Sequence, residues 1–250
     1  MMLEDYQQDY QCNILSSGLT HVGCVRTCNE DAYLEMPDSG LWCVADGMGG
    51  HHAGDLASQR IIDVLADLAH RFQGPALLQR IKSVLQMVNT ELRETARHMG
   101  SNVVIGSTVV VLVLEGENYH CFWTGDSRCY LWRNQELQCI TRDHTAVSEA
   151  LAMGYLTPEE AYRHKRGNVL TQAIGAFDEF FVEVESGIIY ENDTFLLCTD
   201  GLTKVFSDQM IADRLHAPNI GDINSSLINE AVSLGAKDNL TSVMLAIEGV

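Results

Sequence analysis

The sequence predicts an α+β fold in which antiparallel sheets are flanked by helices grouped in pairs. Two observations lead to this prediction. Short apolar strand patterns follow one another through hairpin turns, as at residues 115–118 and 134–135. Two long amphipathic helical patterns, over residues 55–72 and 76–98, follow each other directly instead of alternating singly with strands. A parallel sheet of alternating β-α units is therefore not expected.

The individual elements follow from local patterns along the chain. Strands are predicted where short apolar runs end at glycine, asparagine or aspartate: residues 12–23, 25–35, 41–46, 106–114, 119–124, 129–132, 137–141, 180–185, 193–199 and 241–247. Helices are predicted where apolar residues recur every three or four positions: residues 55–72, 76–98, 207–215 and 222–234. The stretch 143–166 is also expected to be helical, although it is more polar.

Length and composition are compatible with one domain. The chain has 250 residues, of which 46% are hydrophobic, and its sequence contains no linker, low-complexity tract or internal repeat. We expect a loose polar tail over residues 1–11 and a single domain over residues 12–250. We expect no secretory signal and no membrane span, because the longest apolar run, residues 108–114, is too short to cross a bilayer.

Charge and cysteine usage disfavour several other classes of protein. The 16 basic and 34 acidic residues give a formal net charge of −18, which repels the phosphate backbone of nucleic acids. The eight cysteines form no C-x-x-C pair, and most lie in apolar strand patterns, where free cysteine is a small core residue. We therefore expect a reduced, cytoplasmic, monomeric protein. A redox role stays open for Cys24 and Cys28.

Three aspartates lie at the ends of apolar strand patterns. Asp46 and Asp200 each end such a run and precede a glycine, and Asp238 comes just before the final strand. The glycines allow close approach of the backbone to a ligand, and the carbonyl of Gly47 is a suitable ligand for a hard cation. A single Asp-Gly is more typical of an ordinary turn. Together, these residues predict neighbouring strands whose carboxylates meet at one divalent-metal site.

Five short motifs occur in a fixed order from about residue 17 to residue 247. They are Arg26-x-x-Asn29-Glu30-Asp31, Asp46-Gly47-Met48-Gly49-Gly50, Gly125-Asp126-Ser127-Arg128, Asp200-Gly201 and Asp238-Asn239. In this order the chain resembles the bacterial metal-dependent serine/threonine protein phosphatases of the protein phosphatase 2C (PPM) family. The resemblance implies two packed antiparallel β-sheets flanked by helix pairs, an αββα sandwich with the metals at one end.

The resemblance also implies the residues that bind metal. They are Glu30, Asp31, Asp46, Gly47, Asp126, Asp200 and Asp238. The core site would take two ions, Mn²⁺ or Mg²⁺, bridged by Asp46. Asp126 and Asp200 would hold a further, weaker ion. Whether Glu30 and Asp31 bind the metals directly or through water stays open.

The function implied by the resemblance is hydrolysis of phosphoserine and phosphothreonine in proteins, reversing a cognate serine/threonine kinase in signal transduction. Catalysis would depend on Arg26, which binds the substrate phosphate through its fork of N–H donors, and on Asp46, Asp200 and Asp238. A metal-bound water would attack phosphorus in line. Ser127 is not required as a nucleophile in this chemistry.

The general acid stays open. Met48 occupies the position where eukaryotic relatives have a histidine and where bacterial relatives commonly have methionine. Water on a metal, His51 or His52 could each donate the proton to the leaving oxygen.

Residues 143–167 correspond to the flap of bacterial relatives. Its basic cluster, residues 163–166, suggests the hypothesis that the flap attracts phosphorylated substrate or shields the pocket. Two other functions stay open: a non-catalytic regulatory or binding protein of the same fold, and a hydrolase of small phosphate esters.

Overall fold

A computed structural model describes residues 13–49, 53–100, 102–162, 164, 169–216 and 219–249. The strands are β1 (Asn13–His21), β2 (Asp31–Met36), β3 (Leu41–Gly49), β4 (Ile105–Ser107), β5 (Val109–Glu115), β6 (Asn118–Thr124), β7 (Arg128–Arg133), β8 (Glu136–Cys139), β9 (Glu183–Ile188), β10 (Thr194–Cys198) and β11 (Leu240–Glu248). The helices are α1 (Ala53–Arg71), α2 (Gly74–Met99), α3 (Ala146–Ala152), α4 (Pro158–Tyr162), α5 (Asp200–Thr203), α6 (Asp208–Ala212) and α7 (Ile220–Ser233). A short 3₁₀ helix, Pro37–Ser39, connects β2 to β3.

The strands form two sheets in which every pairing is antiparallel. The first sheet has the order β1-β11-β10-β7-β8. The second has the order β2-β3-β5-β6-β9, and β4 pairs with the far end of β3. The α+β prediction with antiparallel sheets is therefore confirmed.

Buried apolar side chains form three layers, one between the two sheets and one between each sheet and the helices that cover it. Between the sheets, Trp42 and Phe195 are fully buried, and Tyr119 packs edge-on against Phe195 with ring centroids 5.2 Å apart. The helices α1 and α2 cover the outer face of the second sheet, and α5, α6 and α7 cover that of the first. The result is the predicted αββα sandwich, because each sheet buries one face on its partner and the other on helices.

The two long helices were predicted within two residues of their ends, because their apolar positions repeat over many turns. In α1 the repeating apolar residues are buried against the sheet, as Ile61 and Leu65 are. In α2, Leu85 lies in the same apolar layer. Within the described part of the chain, no helix combines the length and apolarity that a membrane span requires.

Four local predictions are wrong. The strand expected over residues 25–35 begins at Asp31, because the chain before it forms an irregular loop. The strand expected over residues 106–114 is interrupted at Thr108, which separates β4 from β5. The strand expected from residue 180 begins at Glu183, because β6, its partner strand, ends at Thr124 where the chain turns at Gly125. The helical stretch expected over residues 143–166 consists of the short helices α3 and α4, since Gly154 adopts a left-handed conformation with φ of 74° between them.

Candidate metal centre

Among the described residues, five aspartates from both sheets meet at one end of the sandwich. Asp31 on β2 lies directly opposite Asp46 on β3 in the antiparallel register. Asp200 follows β10, Asp238 precedes β11, and Asp126 follows β6. Burial raises the pKa of Asp46 well above its usual value, and the negative charges of the other four aspartates raise it further. The structure thus brings together the aspartates that the sequence analysis selected.

Thr108 holds the backbone of Asp46. The Thr108 N–H donates to the Asp46 carbonyl at 2.9 Å, and the Asp46 N–H donates to the Thr108 hydroxyl at 3.2 Å. The hydroxyl of Ser107 donates to the same carbonyl at 3.0 Å. The interruption between β4 and β5 thus brings two donors and one acceptor to the backbone of Asp46 on β3.

Asp126 is connected to Asp46 through the same threonine. The hydroxyls of Thr108 and Ser127 lie 2.7 Å apart, and Ser127 is buried, so its oxygen is occupied within the protein. Gly125 has a φ of 103°, and a Cβ at this position would contact the Thr108 side chain. Only glycine at position 125 therefore lets the loop that bears Asp126 approach Thr108 so closely.

Asp31 has one satisfied and one unsatisfied carboxylate oxygen. Its Oδ2 accepts a hydrogen bond from the Thr199 hydroxyl at 2.8 Å, whereas its buried Oδ1 has no partner among the described residues. Burial raises the pKa of Asp31 to about 7, against the lowering effect of hydrogen bonds from Thr241 and Thr199. The nearby carboxylates of Asp200 and Asp238 also raise it.

Two cationic side chains pair with the carboxylates from the first sheet. The Lys204 ammonium lies 2.5 Å from Asp200 Oδ2 and 2.9 Å from Asp238 Oδ2. The Arg26 guanidinium lies 2.8 Å from Asp238 Oδ1. Burial would lower the pKa of Lys204, but Asp200 and Asp238 outweigh it and raise that pKa, so the ammonium stays charged.

The pKa values of the three other aspartates shift in different directions, according to burial and to the charges beside each carboxyl. Burial raises the pKa of Asp126 to about 7, with a further contribution from Asp200. Burial also raises the pKa of Asp200, although Lys204 opposes the shift. For Asp238, burial is outweighed by Lys204 and Arg26, which lower the pKa of its carboxyl.

Asn239 connects the loop before β2, which bears Arg26, to the start of β11. Its Oδ1 accepts from the Glu30 N–H at 2.9 Å. Its Nδ2 donates to the carbonyls of Val22 and Cys28, each at 3.0 Å. These bonds satisfy backbone N–H and carbonyl groups of an irregular loop that would otherwise lack partners.

Glu30 and Gly47 lie on the α1 side of the aspartates. The Gly47 N–H donates to the Glu30 carbonyl at 3.0 Å, and Gly47 is buried where a Cβ would overlap the Gly54 backbone. The Glu30 carboxylate lies against Gly54, since a Cβ built there would be 2.5 Å from Glu30 Oε1. Although Glu30 is the neighbour of Asp31 in the sequence, its side chain is turned toward the start of α1.

Several residues named in the sequence analysis lie outside the described residues. His51 and His52, the candidate general acids, are among them, as are Arg163, Lys165 and Arg166 of the basic flap cluster. Their roles stay predictions.

A divalent cation fits this donor set in charge and chemistry. Burial, and after it the charges of neighbouring carboxylates, raise the pKa values of Asp31, Asp46, Asp126 and Asp200, and one buried oxygen of Asp31 has no partner among the described residues; a bound cation would stabilise the charged carboxylates and give that oxygen a partner. Carboxylate and carbonyl oxygens are the ligands that hard divalent ions prefer. As the described side chains now stand, no three or more histidine, cysteine, aspartate or glutamate residues form a cluster that could hold a metal ion.

Sequence reasoning missed the residues that support the aspartates. They are Ser107, Thr108, Thr199, Lys204 and Thr241. A small hydroxyl residue inside an apolar strand is a weak signal by itself. The position of Lys204, four residues after Asp200, is the one signal available from the sequence, because such residues face each other on a helix.

Comparison with known proteins gives one consistent family. The family profile of protein phosphatase 2C matches residues 23–240, a segment that includes every aspartate described above. The serine/threonine protein phosphatase PstP of Mycobacterium tuberculosis is 33% identical over 226 residues, which cover 89% of this chain and 43% of PstP. This chain therefore spans less than half the length of that relative. The serine/threonine phosphatase stp of Listeria monocytogenes is 31% identical over 243 residues, covering 90% of this chain and 93% of stp.

A solved structure agrees with these sequence similarities. The catalytic domain of the serine threonine protein phosphatase PstP, in complex with two manganese ions, superposes with a TM-score of 0.84. The sequences are 31% identical, and the match covers 94% of this chain and 98% of that domain. The similarity therefore includes both sheets and the helices that cover them.

Proposed function

This chain belongs to the protein phosphatase 2C family of serine/threonine phosphatases, and from this premise we propose the reaction at its aspartate cluster. The reaction is hydrolysis of phosphoserine and phosphothreonine in proteins, dependent on two divalent ions, Mn²⁺ or Mg²⁺. The main support is the meeting of five aspartates from both sheets, with more negative charge than the neighbouring cations neutralise.

The core ions would be held by Asp46, Asp200 and Asp238 with the carbonyl of Gly47. When bound, divalent ions supply an activated water and neutralise charge on the phosphate. Asp31, with its unpaired buried oxygen, would face these ions directly or through water. Glu30 would act only through water, because its carboxylate lies against Gly54.

Asp126 would take part in a further, weaker ion site. Among the charged groups around Asp126, Asp200 raises its pKa most, which supports a shared ligand role for the two carboxylates. The loop that bears Asp126 is held on both sides of this residue, because the Gly125 N–H donates to His144 Nδ1 at 3.2 Å and the hydroxyls of Ser127 and Thr108 lie 2.7 Å apart.

Arg26 would bind the substrate phosphate. Its side chain is 50% exposed, and one nitrogen pairs with Asp238, which orients the guanidinium. Arg26, Lys204 and Lys237 line a cavity of about 680 Å³ beside Asp238. A guanidinium presents several N–H donors, so the donors not used by Asp238 can bind phosphate oxygens and stabilise charge that develops on them.

The substrates would be phosphorylated proteins, and the reaction would reverse the action of a cognate serine/threonine kinase. The relatives named as serine/threonine phosphatases support this substrate class. We further place the protein in the cytoplasm. The cysteines of the described residues are free, which is typical of a reducing compartment.

The test is phosphate release from a phosphothreonine peptide in Mn²⁺, in Mg²⁺ and in EDTA. We expect release in either metal and none in EDTA. Asp200→Asn and Asp238→Asn should each lower metal-dependent release by at least about a hundred-fold, since each removes a carboxylate from the site.

Asp67→Asn is the matched control, because it removes the same charge from an exposed position on α1. It should retain full activity. Metal-independent release, or release by folded Asp200→Asn equal to that of the unchanged protein, would refute the proposal. Faster turnover of free phosphoserine than of the peptide would indicate a hydrolase of small esters instead.

A further inference from the structure

Lys204 places a positive charge beside two of the carboxylates that are proposed to bind metal. It follows α5 and lies one helical turn beyond Asp200, so its side chain returns toward that carboxylate. Its ammonium contacts Asp200 Oδ2 at 2.5 Å and Asp238 Oδ2 at 2.9 Å. One cation thus bridges two carboxylates that come from different segments of the first sheet.

The segment that bears Lys204 is fixed in place on both sides. Leu202 is fully buried and Phe206 is 1% exposed, so both anchor α5 and the turn after it in the apolar layer. Gly201 lies against the Asn239 carbonyl so closely that a Cβ would overlap it. The Lys204 N–H also donates to the Asp200 carbonyl at 2.8 Å. Lys204 therefore has little freedom to leave the carboxylates by movement of its backbone.

We propose that Lys204 is a built-in counter-cation that competes with divalent metal for Asp200 and Asp238 and so weakens the affinity of the core site. This inference rests on the proposed function, in which these carboxylates bind metal. A divalent ion that approaches them must displace the ammonium or bind against its positive charge. Without metal, the ammonium neutralises two close carboxylates and stabilises the fold.

The inference makes two measurable statements about Lys204→Met, which keeps the length of the side chain and removes its charge. First, Mn²⁺ should bind about ten-fold more tightly, equivalent to about 1.4 kcal/mol. Second, the metal-free protein should melt at a lower temperature, while saturating Mn²⁺ should restore the melting temperature. Both are measured on the full chain stripped with EDTA, by titration calorimetry and by thermal unfolding.

Two variants serve as controls. Lys204→Arg retains the charge and should keep Mn²⁺ affinity near that of the unchanged protein. Lys82→Met removes a positive charge from an exposed position on α2 and should alter neither quantity. If metal-free Lys204→Met does not fold, Lys204→Gln is measured instead, since its amide still donates a hydrogen bond to one carboxylate.

The outcomes separate the two proposals. Equal or weaker Mn²⁺ binding by Lys204→Met, with normal binding by the unchanged protein, overturns the role of Lys204 and leaves the proposed phosphatase function intact. No Mn²⁺ binding by any variant overturns both, because the carboxylates would then not form a metal site.

Discussion

Thr108 positions Asp46, because it hydrogen-bonds both the N–H and the carbonyl of that residue. Its amide and hydroxyl hold the backbone of Asp46 from both directions, and the same hydroxyl meets Ser127 beside Asp126. The residue is 2% exposed, so these bonds are shielded from water. Loss of the hydroxyl would therefore leave the Asp46 N–H on β3 and the Ser127 hydroxyl after β6 without this partner.

We expect Thr108→Val to impair both stability and activity. Valine has the same shape but no hydroxyl, so it should lower the free energy of unfolding by about 1 to 2 kcal/mol. Displacement of Asp46 should lower phosphate release by about ten-fold at saturating Mn²⁺. Urea denaturation and phosphopeptide kinetics measure the two effects.

Thr108→Ser keeps the hydroxyl and should retain most of the activity. If the valine variant matched the unchanged protein in kcat, the hydrogen bonds of Thr108 would have no part in positioning Asp46.

The aspartates were predictable from the sequence, but the residues that hold them were not. Asp46 and Asp200 end apolar runs before glycine, a pattern that is visible within a few neighbouring residues. Thr108 bonds a residue 62 positions away, and Thr199 bonds one 168 positions away. Such partners become neighbours only through sheet pairing, and a buried threonine fits a strand equally well without a partner.

Among the elements, β7 and β9 belong to different sheets and are joined at the end opposite the aspartates. Arg133, the last residue of β7, pairs with the buried Asp193 through two nitrogens at 2.7 and 2.6 Å. It also donates to the Ile188 carbonyl, at the end of β9, at 2.8 Å. Its guanidinium lies over the Tyr190 ring, 4.5 Å from the centroid.

Arg133→Met should therefore destabilise the sandwich without changing the chemistry. Asp193 is 1% exposed and would remain as a buried, unpaired charge, so we expect a loss of about 3 kcal/mol in the free energy of unfolding. The kcat of the folded variant at 25 °C should stay within about two-fold of the original, because the aspartates lie at the other end.

Arg60→Met is the comparison for this effect. Its ion pair with Glu91 has both side chains 41% exposed, so its removal should change the free energy of unfolding by less than about 1 kcal/mol. Equal losses in the two variants, measured by urea denaturation, would contradict the argument from burial.

At this scale the sequence predicted helices better than irregular connections. The apolar residues of α1 and α2 recur over many turns, so one atypical residue does not change the prediction of a helix. The stretch around α3 and α4 has few buried residues, with Val147 as the buried residue of α3. The helix α3 ends where Met153 and Gly154 turn the chain, and a weak amphipathic pattern cannot locate such an end.

The whole molecule combines a net charge of −18 with a local group of cations beside the aspartates. Arg26, Lys204 and Lys237 lie around one cavity, whereas acidic residues outnumber basic ones over the chain by 34 to 16. The net charge of the protein therefore differs in sign from the cations that line the cavity where Arg26 would bind the phosphate.

This difference predicts opposite salt effects for two substrates. For a phosphothreonine peptide with basic flanking residues, kcat/KM should fall several-fold between about 0.05 and 0.5 M NaCl, because salt screens its attraction to the acidic surface. For a peptide with acidic flanking residues, kcat/KM should rise. Both series are run at saturating Mn²⁺, with an uncharged flanking sequence as the reference. The same slope for both peptides would show that the net charge has no part in their encounter.

The register of β2 with β3 restricts where this chain can change length during evolution. Asp31 lies opposite Asp46, and side chains alternate between the faces of a strand. Deletion of one residue between Leu41 and Asp46 would turn the aspartate to the other face, so it should abolish the site. The turn at residues 37–40 lies at the other end of this strand pair and can absorb inserted residues without altering the register. Insertions and deletions that accumulate among related chains should therefore be found in that turn.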